Sequence, residues 1–83
     1  MTKIFLDARE MEHPVPLEKA IDALKRLNES SYFYMLHRKE PIPLLALAGE
    51  HNLNLLSVKI DINWHILISP NMGIDLEKYI EEF

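Results

Sequence analysis

No cysteine occurs anywhere in the 83 residues. The chain can therefore form no disulfide, hold no thiolate-ligated zinc or iron–sulfur cluster, and present no thiol nucleophile or persulfide. Glycine is almost as scarce, with only Gly49 and Gly73, and two so far apart build neither a phosphate-cradling loop nor a dinucleotide fingerprint. Positive charge is also in deficit. Nine Lys and Arg face thirteen Asp and Glu, for a net charge of −4 with the four His neutral. A nucleic-acid partner is not expected of such a chain. Long apolar runs are missing too: the longest stretch without a charged or polar side chain, residues 41–49, is about half a membrane-spanning helix. No membrane partner is expected. The start, Met1-Thr2-Lys3-Ile4-Phe5-Leu6-Asp7, has three consecutive apolar residues before an acid, too few for a secretory leader, and the expected compartment is the cytoplasm.

What remains is the composition of a folded domain. Apolar residues make up 48% and charged residues 27%, which excludes a disordered or collagen-like chain. A chain of this length buries roughly 60–65% of its unfolded surface, enough for one core. Its five prolines supply the punctuation. Four of them form two pairs, Pro14-Val15-Pro16 and Pro41-Ile42-Pro43, each after a short apolar run and before helix formers. A first-turn proline costs no intrahelical hydrogen bond and has its φ preset, so the pairs mark two helix starts.

The first strand spans residues 3–7, with Ile4 and Leu6 on one face and Lys3, Phe5 and Asp7 on the other. The first helix follows from residue 14 to about 27, where Leu17, Ala20, Ile21, Leu24 and Leu27 form an apolar stripe. The second strand, residues 32–37, is apolar on both faces and belongs in the middle of a sheet. A second helix over residues 41 to about 51 carries almost no charge, so most of its circumference should be covered; Asn52 is a left-handed stop. Residues 55–60 and 64–68 alternate as two strands joined at Asp61-Ile62-Asn63. Beyond Pro70, Leu76, Tyr79, Ile80 and Phe83 fall in helical register after Asp75 as N-cap.

The order is β-α-β-α-β-β with a C-terminal helix. Right-handed crossovers then place both main helices on one face of a four-stranded mixed sheet, giving an α/β two-layer sandwich. The other face would carry Phe5, Tyr32, Tyr34, Leu36, Leu55 and Leu67, too apolar to stay wet. The C-terminal helix either folds back over Tyr32, Tyr34 and Leu67 or docks on a second copy or another protein, since eight or nine residues make no lasting helix alone. Leu76, Tyr79, Ile80 and Phe83 are its contact residues.

At Glu12-His13-Pro14-Val15-Pro16-Leu17 the chain resembles the TusA/SirA sulfur-carrier family, small β-α-β-α-β-β proteins built around a Cys-Pro-x-Pro motif. The second motif, Glu40-Pro41-Ile42-Pro43-Leu44-Leu45, resembles a sister family of bacterial domains that often lack the cysteine. The resemblance covers roughly residues 3–69, making residues 1–69 the domain and residues 70–83 an amphipathic helical extension. It implies strand order 1-2-4-3 and a link to bacterial sulfur, redox or respiratory metabolism. Sulfur transfer does not carry over, because His13 stands where the family keeps its cysteine and imidazole holds no transferable sulfane sulfur.

Ligands of open α/β sheets gather at the C-terminal ends of parallel strands. Arg9, His13, His37, Arg38 and Lys39 converge there and form the candidate ligand or partner rim. An anion site is one reading, but the prolines remove amide donors, and Glu10, Glu12, Glu40 and Asp61 outnumber the cations. A zinc or iron site on His13, His37 and a carboxylate is a second, without a compact His-x-x-x-His spacing behind it. His51, on the stripe of the second helix, reads as a partly buried histidine, and His65 as a packing residue of the bare face. No nucleophile or paired acid and base stands out, so neither catalysis nor a resident cofactor is expected. The sequence points to a binding or adaptor module with a protein partner or a second copy; the rival is a metal or small-cofactor carrier using His13 and His37.

Overall fold

A computed structural model describes residues 1–81. Its elements are β1 (Thr2–Asp7), α1 (Val15–Leu24), β2 (Ser31–His37), α2 (Ile42–Glu50), β3 (Asn54–Ile60), β4 (Asn63–Ser69) and a 3₁₀ turn (Leu76–Tyr79). The strands form one sheet in the order β1-β2-β4-β3. β1 and β2 are parallel, whereas β4 runs antiparallel to both β2 and β3. This is the expected α/β sandwich with its mixed four-stranded sheet.

Both helices begin where the prolines place them. Pro14 and Pro41 occupy the N-cap positions, with Pro16 and Pro43 inside the first turn. α1 is shorter than its apolar stripe suggests. Its last turn tightens, with Arg26 N–H donating to Ala23 O at 3.0 Å and Leu27 N–H to Leu24 O at 3.2 Å. Leu27 still reaches the core from beyond the helix end. α2 ends at Glu50, and Asn52 takes the left-handed conformation, φ 55°, as a stop residue should. The β3–β4 hairpin turns on Asp61, φ 57°, a residue whose short polar side chain tolerates that region.

The helix-side core is built from Ala20 and Ala23 of α1, Leu44 and Ala48 of α2, and Phe33, Met35, Ile66 and Ile68 of the central strands, all at most 3% exposed. The small alanines let the helices lie close to the sheet, so the larger strand residues fill the space between. β2 is buried on both faces, as a central strand with no polar alternation must be.

Three expectations about β3 and the region of α2 need correction. Leu55 packs with the helix-side core, and Leu56 takes the place expected of it on the opposite face. The register decides this: Leu55 pairs with Ile68 and Leu56 with Leu67, and cross-strand partners share a face. Two adjacent leucines offer no sequence signal for which one points which way. α2 is less covered than its lack of charge suggests, because Ile42, at 58% exposed, Pro43 and Ala46 face outward. His51 is exposed, since the helix has already ended when the chain reaches it.

The opposite sheet face is not bare. The segment after β4 starts beside β3, where Asn54 Nδ2 donates to Asn71 O at 3.1 Å and Ile74 O at 2.9 Å. It then crosses the sheet. Leu76 is buried against Tyr32, Tyr34, Leu36 and Leu67, and the Tyr79 ring lies 4.8 Å from that of Tyr32. Glu81 reaches the far side, where its carboxylate meets Lys3 Nζ at 2.6 Å. The strap is held as a single 3₁₀ turn rather than the longer helix expected. Asp75 does cap it, accepting from Glu77 N–H at 3.1 Å. Past Tyr79 the backbone turns extended at Ile80, which lets Glu81 reach β2 instead of winding away from it. Phe83 lies outside the described residues. No helix among the described residues is long and apolar enough to cross a membrane.

Candidate functional site

The two Pro-x-Pro helix starts stand side by side at the C-terminal ends of β1 and β2, with a cleft of about 180 Å³ between them. Its floor is apolar, with Met35 and Leu44 fully buried and Pro16 and Leu17 beside them. Its rim is polar. His13 and Glu12 come from the loop before α1, and His37, Arg38, Lys39 and Glu40 from the loop before α2. Residues 27 positions apart in the chain are thus brought together by the parallel pairing of β1 and β2. Exposed Val15 and Ile42 stand at the first helical positions, each next to a lining proline.

The two arginines of this end are engaged with neighbouring acids. Arg9 grips Asp7 through both carboxylate oxygens, at 2.9 and 2.7 Å. Hydrogen bonding from Arg9 holds the Asp7 carboxyl below its ordinary range. Arg38 reaches Met11 O and Glu12 Oε1, both at 3.3 Å, across the mouth of the cleft. The helix-start amides turn inward as well: Val15 N–H donates to Glu12 O and Ile42 N–H to Glu40 O. Two neutralised arginines and proline-capped helix starts leave little to hold an anion. Arg9 belongs to the neighbouring surface with Asp7 and Glu10, not to the cleft that His13, His37, Arg38 and Lys39 line.

His37 is half-buried, and its Nδ1 accepts from the Lys39 backbone N–H at 3.2 Å. In the neutral ring the proton therefore sits on Nε2. Burial pushes its pKa below the ordinary imidazole value, helped by the charges of Arg38 and Lys39. His13 is exposed on the opposite lip, beside a cis His13–Pro14 bond. Both histidines line one cleft, but among the described residues no group of three His, Asp or Glu is placed to hold a metal ion.

The second cluster of site candidates is covered within the chain. Tyr32, Tyr34 and Leu67 are at most 6% exposed beneath the strap, and Tyr79 and Ile80 pack on them. The fold-back alternative is the one realised. Sequence reasoning missed the polar lock at the end of the strap. Tyr34 Oη contacts His65 Nδ1 at 2.6 Å and accepts from Glu81 N–H at 3.0 Å. No spacing signal links positions 34, 65 and 81, which meet only because β2 and β4 are adjacent and the strap crosses both. No protein-family model, no curated protein and no solved structure matches the chain.

Proposed function

We propose that this protein is a non-enzymatic binding or adaptor module that recognises a protein partner at the cleft between its two Pro-x-Pro helix starts. The observation that carries this reading is the size and lining of the cleft. Sites for drug-sized ligands and cofactors run from about 300 to 1,000 Å³. A cleft of about 180 Å³ is the scale of one large side chain, comparable to cavities that accept a benzene ring. Its apolar floor and polar lip are the anatomy of an anchor pocket at a protein interface. Val15, Ile42, Pro43 and Ala46 extend apolar surface away from it. The two arginines that would favour an anion are paired with Asp7 and Glu12.

The resemblance at both proline motifs supports linking such a module to bacterial sulfur, redox or respiratory metabolism, with His13 in the position where a carrier would keep its cysteine; its expected compartment is the cytoplasm. A cofactor carrier built on His13 and His37 has the shared cleft in its favour and the small volume against it.

Affinity capture with the wild type, Ile42→Asp and the distant control Lys59→Glu tests the reading. A partner retained by wild type and control, and lost by Ile42→Asp, supports it. Equal capture by all three variants, or stoichiometric metal or a chromophore in the purified protein, would sink it.

A further inference from the structure

The polar groups around the cleft between the two helix starts are unevenly spent. Arg38 is engaged with Met11 O and Glu12 Oε1, both at 3.3 Å. Glu40 turns toward β3, where its Oε2 accepts from Ser57 Oγ at 3.3 Å. The Lys39 backbone N–H donates to His37 Nδ1 at 3.2 Å, which leaves the proton of the neutral ring on Nε2. Two donors of the loop before α2 then remain without a partner among the described residues. They are the exposed Lys39 ammonium and the His37 Nε2–H, and both residues line the cleft.

A few polar groups at the edge of an apolar pocket set the identity and orientation of what enters it. Both unspent groups donate, so the occupant has to bring an acceptor. A carboxylate answers an ammonium and an imidazole N–H together. The apolar lining narrows the choice further. Two thioethers belong to it, Met11 and the fully buried Met35, and sulfur lies favourably against the edge of an aromatic ring. Its volume of about 180 Å³ is that of cavities that take a benzene ring. A free inorganic anion would use the two donors but leave the apolar floor unfilled. A lone aromatic side chain would fill the floor and leave the donors unused.

We propose that the cleft recognises an aromatic–acidic segment of the partner, with an aromatic side chain seated against Met11 and Met35 and an adjacent carboxylate received by Lys39 and His37. This rests on the cleft reading and adds to it the chemical class of the partner. Charge complementarity selects an acidic neighbour over a basic one, because a second cation beside the ring would meet the Lys39 ammonium. Arg38 keeps its bond to Glu12 and is not called upon.

The test uses the full chain and three tetrapeptides blocked at both ends, Ala-Phe-Glu-Ala, Ala-Phe-Lys-Ala and Ala-Leu-Glu-Ala. Each is titrated to tens of millimolar at low salt and followed at the Met35 and Leu44 methyl resonances, which report from the cleft floor. The Phe-Glu peptide should bind about fivefold more tightly than Phe-Lys, and also more tightly than Leu-Glu. Lys39→Glu reverses one exposed charge that holds no ion pair among the described residues, and thermal melts check that the variant folds. It should invert the order of Phe-Glu and Phe-Lys. Equal binding of those two peptides, an order unchanged by Lys39→Glu, or Leu-Glu binding as tightly as Phe-Glu would overturn the proposal and leave the cleft standing as an anchor pocket. No shift of the floor methyls with any peptide would overturn this proposal and the cleft reading together.

Discussion

Tyr34 and His65, 31 positions apart in sequence, share a buried 2.6 Å hydrogen bond across the β2–β4 pairing, and the same tyrosine hydroxyl accepts from the Glu81 backbone at 3.0 Å. One phenol thus ties the sheet interior to the end of the strap. Burial raises the Tyr34 pKa and lowers that of His65, so both groups stay neutral where they meet. Arg9 adds to the downward shift of His65.

Tyr34→Phe keeps the ring and removes the hydroxyl with its bonds to His65 and Glu81. It should cost about 1–3 kcal/mol of unfolding free energy, because the buried His65 Nδ1 and the Glu81 amide lose a partner together. Urea denaturation measures this, and a variant as stable as wild type would show that the lock contributes nothing.

Stability should also fall in acid. His65 and His37 both have folded pKa values below the ordinary 6.5, chiefly through burial. The unfolded chain therefore takes up protons first as the pH drops. The stability that these groups contribute is complete above about 6.5 and is lost as pH falls through and below that value towards their folded pKa values. A second loss belongs to Asp7, whose depressed carboxyl contributes stability above its ordinary 3.8 that disappears as pH falls below it. Urea midpoints at pH 7.5, 6.5 and 5.5 should decrease in that order; a flat series would contradict the histidine assignment.

Leu76→Ala should destabilise by about 2 kcal/mol, the lower end for a buried leucine, since a strap can settle into the space left behind. Ending the chain at Ser69 is harsher. It uncovers Tyr32, Tyr34 and Leu67 together, and the expected product binds a hydrophobic dye and aggregates. A truncated chain that remains soluble, dye-negative and fully stable would mean that the strap is dispensable.

The left-handed stop of α2 separates two substitutions. Asn52→Ala should cost about 1 kcal/mol because alanine is strained at φ 55°, whereas Asn52→Gly should be close to neutral. Thermal melts of the pair check this.

Much of the layer order is legible in the sequence. Proline pairs announced the two helix starts, and strand alternation assigned Phe33 and Met35 to the helix side and Tyr32 and Tyr34 to the other. Those signals are local, because φ restriction and side-chain period act within a few residues. Where the local signal was degenerate it gave the wrong answer, as at Leu55 and Leu56 and along the uncharged length of α2. The candidate rim was read as one cluster of five residues. Its division, with Arg9 drawn to Asp7 and the other four gathered around a small apolar cleft, follows from contacts between loops.

By itself, the sequence determined that no thiol chemistry exists in this chain, that two proline-started helices cross over a mixed sheet, and that its far face must be covered. Tertiary structure alone decided what covers it. Whether residues 70–81 docked in cis or on another molecule depended on the reach of the strap across β3, β4 and β2 and on partners at Asn54, Tyr34 and Lys3, none of them near in sequence. An amphipathic pattern records that a face needs burial; only the assembled surface decides against what.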